Sequence, residues 1–248
     1  MIKYSKDNGI GFVTLNRADK RNSLHPDLVK SLKEKLHEAE NDDEVKVLII
    51  TGEGKSFCAG ADLAYLKDLE KYSVTENEKD SESLAEMFLQ IYYFPKPTIA
   101  AINGAAIAGG CGLASVCDLV VADEKSKFGY SEVKIGFLPA IVSLFLMKRV
   151  GEGVAKQLLL TGEIINGKRA YNIGFANYFV NDLIPESTQL AQNLIQNSST
   201  SMSYTKNMIH SISNLNVNEA VDYCIRLNTI SRSTEDFKKG LDNFLIKK

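Results

Sequence analysis

Asn103-Gly104-Ala105-Ala106-Ile107-Ala108-Gly109-Gly110-Cys111, directly after the apolar run Thr98-Ile99-Ala100-Ala101-Ile102, decides how this chain is read. A strand of small and β-branched residues runs into a glycine-bearing turn, and the turn opens a helix. The same theme occurs once earlier. Val45-Lys46-Val47-Leu48-Ile49-Ile50 leads to Lys55-Ser56-Phe57-Cys58-Ala59-Gly60-Ala61-Asp62-Leu63. Glycine lets backbone N–H groups approach a ligand closely, and the first amides of a helix have no partner inside it. Two such turns facing one point make an oxyanion hole from main chain alone, with the Ala61 and Gly109 amides as donors. Each donor of this kind is worth about 3–4 kcal/mol at a developing oxyanion. The plainer alternative is that both are tight strand–helix turns and nothing more.

Around these turns, residues 9–16 read as a strand, and His25-Pro26 opens a helix in which Leu28, Leu32, Leu36 and Ala39 recur at helical spacing. A short helix is predicted over 62–70, a polar and mobile connection over 71–81, and a helix over 82–94 ending at Pro95-Lys96-Pro97. Strands follow at 98–103 and 118–122, with a helix over 109–117 between them. Residues 127–138 read as a strand-turn carrying Glu132. Helices are then expected over 140–150, closed by Gly151, near 153–161, and over 187–197, 203–213, 217–230 and 234–246. The strand-then-helix units define an α/β core over 1–186, with a helical C-terminal region over 187–248. Neither glycine turn has the G-x-G-x-x-G spacing of a dinucleotide fold.

Composition narrows the function. The 248 residues are 44% hydrophobic and 24% charged, with a net charge of −2, which suits a soluble globular protein. No run of Lys and Arg makes a nucleic-acid or membrane patch, and no stretch reaches the length of a spanning helix. The N-terminus has no apolar core of a signal peptide. Cys58, Cys111, Cys117 and Cys224 lack metal-site or C-x-x-C spacing and read as small thiols, so a reduced, cytoplasmic setting is expected. The three histidines are scattered, and neither a G-x-S-x-G elbow nor a metal-ligand cluster is present. Glu132 is the candidate acid/base: a carboxylate drawn among apolar neighbours has its pKa raised toward neutrality. A solvated glutamate, or one paired with Lys134 or Arg149, is the alternative.

LNRADKRNSL (15–24), KSFCAGADL (55–63), the stretch PTIAAINGAAIAGGCGLASVCDLVVADEKSKFGYSEVKIGFLP (97–139) and RAYNIGFANYFV (169–180) together resemble the crotonase, or enoyl-CoA hydratase/isomerase, superfamily over nearly the whole chain. The resemblance implies a spiral of ββα units with a C-terminal trimerisation region, a homo-oligomer (trimer or dimer of trimers), and an acyl-CoA substrate with no separate cofactor or metal. It maps the family's oxyanion hole onto the Ala61 and Gly109 amides. It places the CoA moiety near Arg17, Lys20, Arg21, Ala59, Asp62 and Leu63, with Lys247 reaching its phosphates across a subunit boundary. The pattern departs from the two-glutamate hydratases at one place: the first glutamate position is Gly112, while the second is Glu132. Gly112 is expected to leave open space for water or an acyl substituent. Ile141, Val142, Leu144 and Phe145 are candidate pocket residues. The 131–143 stretch is most similar to single-glutamate, methylglutaconyl-CoA-hydratase-like members. The implied reaction is addition of water to a 2-enoyl-CoA thioester. The alternatives are a Δ3,Δ2-enoyl-CoA isomerase and a non-catalytic acyl-CoA-binding relative.

Overall fold

Strands alternate between two sheets as the chain advances. The computed structural model describes residues 1–246. The first sheet holds β1 (Ile2–Asp7), β2 (Ile10–Leu15), β3 (Val47–Gly52), β5 (Thr98–Ile102), β7 (Leu119–Ala122) and β10 (Tyr178–Phe179), in that order. The second holds β4 (Ser56–Cys58), β6 (Ala105–Ile107), β8 (Lys127–Gly129) and β9 (Ile164–Asn166). Each pair β3–β4, β5–β6 and β7–β8 therefore gives one strand to each sheet before a helix returns the chain. Those helices are α2 (Leu63–Leu69) with α3 (Val74–Tyr92), then α4 (Gly109–Ser115), then α5 (Ala140–Thr161). The repetition is a spiral of ββα turns. Among the described residues antiparallel pairing is confined to β1–β2 and β8–β9.

Side-chain alternation explains how the central strands of the first sheet are buried on both faces. Leu48 and Ile50 of β3, with Ala100 and Ile102 of β5, point into the main core shared with α1 (Pro26–Glu40), α3, α4 and α5. Val47 and Ile49, with Ile99 and Ala101, point to the opposite face, which α7 (Leu183–Ile195) covers through Leu183 and Ala191. Burying each large aliphatic side chain contributes roughly 1.5–3 kcal/mol. Between these elements lie α6 (Gly167–Asn172) and the C-terminal helices α8 (Ser199–Ile212), α9 (Val217–Ser231) and α10 (Glu235–Ile246). The position 186/187, where the sequence suggests the helical region begins, falls inside α7.

Two local readings change. Residues 71–81 are not a loop, because α3 begins at Val74. Ser73 accepts from the Glu76 amide and Glu76 accepts from the Ser73 amide, a reciprocal cap strong enough to start a helix in a polar stretch. The helices expected over 140–150 and near 153–161 are joined as α5 across a break at Gly151 (φ 77°), a conformation open to glycine. No helix among the described residues is long and apolar enough to cross a membrane.

Candidate active site

The two glycine turns touch. Gly60 sits at φ +83°, and a Cβ there would lie 2.8 Å from the Ile107 carbonyl oxygen, 2.9 Å from the Ala108 Cβ and 3.3 Å from the Gly109 nitrogen. Only a glycine permits this approach. The first turn is fixed by a one-residue parallel bridge: the Leu24 amide donates to the Gly60 carbonyl (2.7 Å) and the Asp62 amide to the Leu24 carbonyl (2.9 Å). In such a bridge the amide of Ala61 itself faces away from Leu24. Among the described residues no acceptor takes the amide of Ala61 or that of Gly109. Both residues line one cleft of about 490 Å³.

Ala108, which precedes Gly109, holds φ 53° and ψ −120°. A non-glycine residue in that region stores strain of about 1–3 kcal/mol. Its amide donates to the Gly129 carbonyl (2.7 Å), which ties the strained turn to β8. Side-chain amides brace the loops from behind. Asn22 donates to the carbonyls of Glu53 (3.0 Å) and Ser56 (2.8 Å), and Asn103 donates to those of Gly52 and Gly54.

Glu132 lines the same cleft, at the start of a one-turn 3-10 helix over Glu132–Ile135 that Gly136 closes. Only 7% of it is exposed, and among the described residues its Oε2 has no hydrogen-bond partner. Burial raises its pKa above the ordinary carboxylate value. Neither proposed ion-pair partner holds it. Arg149 instead donates to the carbonyls of Ser115, Cys117 and Phe175, and Lys134 is exposed. A buried carboxylate with an unused oxygen, sharing a cleft with two unclaimed amides, is equipped to exchange a proton with a bound molecule.

Of the other sequence candidates, Ala59, Leu63 and Ile141 line the cleft, as does Val142. Phe145 is instead in the core beside Tyr92 and Phe88, and Leu144 is exposed. Arg17 and Asp62 are bound to each other (2.6 Å), and Arg17 also donates to Ser23. Burial alone would push the Asp62 carboxyl up, but the Arg17 guanidinium and the amides of Ala64 and Tyr65 outweigh it and hold the pKa low. Asp62 thereby caps α2, one residue beyond Ala61. Lys20 and Arg21 are exposed on the loop whose Arg21 carbonyl accepts from the Ala59 amide. Lys247 lies outside the described residues.

The expected open space at Gly112 is absent. A Cβ there would run into Val142 Cγ1 and lie 3.1 Å from Val142 Cβ and 3.2 Å from Phe88 Cζ. The first turn of α5 has closed over the position. The sequence reading also missed the wall made by α2 and α3, where Tyr65, Leu66, Asp80 and Leu84 face the cleft. Treating 71–81 as a loop hid the part that bears Asp80. The capping pair Ser73 and Glu76 was the signal that would have revealed the helix.

Comparison with known proteins agrees with this architecture. The family model described as enoyl-CoA hydratase/isomerase matches residues 5–248. A protein of Thermus thermophilus named "Putative enoyl-CoA hydratase" is 39% identical over 250 residues, covering 100% of this chain and 98% of that one. A crotonyl-CoA hydratase of Syntrophomonas wolfei is 33% identical, covering 100% and 95%. The crystal structure of an enoyl-CoA hydratase from Shewanella pealeana superposes with a TM-score of 0.95 at 27% identity, covering 100% and 94%. With the ββα spiral, the matched length and these identities together, the chain belongs to the enoyl-CoA hydratase/isomerase, or crotonase, family.

Proposed function

We propose that the protein is a lyase that adds water across the C2=C3 bond of a 2-enoyl-CoA thioester. The observation that carries this reading is the unpartnered carboxylate oxygen of Glu132 in the cleft lined by the Ala61 and Gly109 amides. The thioester oxygen accepts from both amides, which draws electron density from C3. Ionised Glu132 takes a proton from a water as that water attacks C3. The enolate is held by the two amides until the proton returns from Glu132 to C2. One carboxylate serves both steps because base and acid act in sequence. Fixed amides stabilise the developing charge without reorganising, and each is worth about 3–4 kcal/mol. Hydratase names among the relatives support hydration over other chemistry.

One observation favours a second reading, a Δ3,Δ2-enoyl-CoA isomerase. Val142 fills the place of a second carboxylate, leaving a cleft in which Glu132 shuttles a proton between C2 and C4 with no water added. Incubation with crotonyl-CoA and with a 3-enoyl-CoA, followed by mass spectrometry and by the ultraviolet absorbance of the conjugated 2-enoyl thioester, tests both. Hydration adds the mass of one water to crotonyl-CoA, whereas an isomerase converts the 3-enoyl substrate at constant mass.

The CoA phosphates are assigned to the exposed Lys20 and Arg21 beside Ala59. A homotrimer, or a dimer of trimers, is proposed from the exposed apolar side chains of the last two helices, including Val217, Val221, Ile225, Phe237 and Leu241. Three buried free thiols, Cys58, Cys111 and Cys117, suit a reduced cytoplasmic setting.

A further inference from the structure

We infer that the cleft selects acyl groups with uncharged tails and rejects those ending in a carboxylate, and that Asp80, held by Tyr65, sets this preference. The inference rests on the acyl-CoA reading above and narrows its substrate class. Among the described residues that line the cleft there is no lysine or arginine, whereas two carboxylates, Glu132 and Asp80, are present. The one side chain able to become a cation is His25. Its Nδ1 accepts from the Asp27 amide (3.3 Å), and a proton placed on that nitrogen would face the Asp27 carboxylate 3.4 Å away instead of an acyl tail.

Two neutral donors on this wall are committed. The Tyr65 hydroxyl donates to Asp80 Oδ1 at 2.5 Å. The Asn77 amide nitrogen donates to the carbonyls of Leu69, Tyr72 and Ser73. Ser81, Ser83 and Ser131 line the cleft but cancel no charge, and most of the rest is apolar, with Val29, Leu66, Leu69, Leu84, Phe137 and Ile141. An acyl tail ending in a carboxylate would be taken out of water into a space with no counter-ion and two like charges. Burying such an unpaired charge is strongly unfavourable, and like-charge juxtaposition is an effective way to reject a competing ligand. A methylglutaconyl-like acyl group, which the sequence pattern suggests, carries that charge. A plain short or branched 2-enoyl group does not.

The test uses three saturated thioesters in titration calorimetry with the intact protein: butyryl-CoA, glutaryl-CoA, and 5-oxohexanoyl-CoA. The third matches the glutaryl tail in size but is neutral. Glutaryl-CoA is expected to bind at least about 30-fold more weakly than 5-oxohexanoyl-CoA. Asp80→Asn, which keeps an acceptor for Tyr65 while removing the charge, is expected to narrow that gap by about tenfold. A wild-type gap below about threefold, or a gap that Asp80→Asn leaves unmoved, overturns the inference. Crotonyl-CoA hydration measured in parallel reports on the proposed function alone. A protein that shows the gap without hydrating keeps the inference and loses the hydratase reading. Failure of all three thioesters to bind overturns the inference, while the hydratase reading stands or falls on the crotonyl-CoA assay.

Discussion

Val142 stands where a side chain at position 112 would have to go. Its Cβ lies 3.1 Å from the place of a Cβ on Gly112, and the ring of Phe88 closes the other side at 3.2 Å. Gly112 is thus a packing requirement of the α4–α5 contact, and that contact leaves Glu132 without a second carboxylate at position 112.

Gly112→Glu is therefore expected to destabilise the protein instead of restoring a second acid/base group. Even Gly112→Ala should cost about 1–3 kcal/mol in chemical denaturation, the usual penalty for overpacking a filled core. Pairing Gly112→Ala with Val142→Ala should recover most of the loss, a coupling of roughly 1 kcal/mol or more between touching residues. Additive losses in the double variant would contradict the contact.

Glu132→Gln should lower turnover of crotonyl-CoA by about 10²–10⁴-fold, the range of a general acid/base. Stability should move the other way. The folded-state pKa of Glu132 is raised above its ordinary value of 4.5, so the native state holds the proton more tightly than the unfolded one. Its contribution is fully present below the unfolded pKa and is lost as pH rises through the raised folded value. Wild type should accordingly lose stability relative to Glu132→Gln on going from pH 4 to pH 8, read as the difference in Tm. The same carboxyl must ionise to act as base, so kcat/KM should climb with pH through an apparent pKa above 4.5.

Asp62→Ala should cost about 2–4 kcal/mol, because it removes the cap of α2 and leaves the half-buried Arg17 without its anion. Asp62→Asn keeps a capping oxygen and should cost less. Both should slow turnover, since Ala61 is the adjacent residue. The depressed carboxyl of Asp62 contributes stability that is present above its unfolded pKa and lost as pH falls through the folded value. The stability of Asp62→Asn should therefore depend less on pH below pH 4 than that of wild type.

Ala108→Gly should relieve the positive-φ strain before Gly109. Added freedom of the unfolded chain offsets part of the gain, so stability should rise by at most about 1 kcal/mol. Turnover should fall, because the Ala108 methyl that packs toward Gly60 helps fix the relation of the two turns. A rise in turnover would show that the strain has no part in placing the Gly109 amide.

Much of this arrangement is legible in the chain itself, for reasons of pattern. Val47–Ile50 and Thr98–Ile102 are continuous apolar runs because their strands are covered on both faces, and such runs announce themselves. The glycine turns are visible because close backbone approach admits few other residues. Three features were hidden. The edge strand Ile2–Asp7 is mostly solvated and carries little apolar signal. Helix α3 begins with charged residues on every face, so its periodicity emerges only where Met87, Phe88 and Ile91 reach the core. The filling of the Gly112 space depends on Val142, thirty positions further along, and nothing local to either residue declares the contact. Asp80 on the cleft wall was lost with the part of α3 that precedes residue 82, whereas Tyr65 lies in the helix expected over 62–70.

The geometry of a bound thioester tests the central claim most directly. In a crystal structure of the protein with acetoacetyl-CoA, the thioester oxygen is expected about 2.7–3.1 Å from the amide nitrogens of both Ala61 and Gly109, with the Glu132 carboxyl beside C2 and C3. A thioester oxygen bound elsewhere, or held by one of these amides alone, would contradict the account.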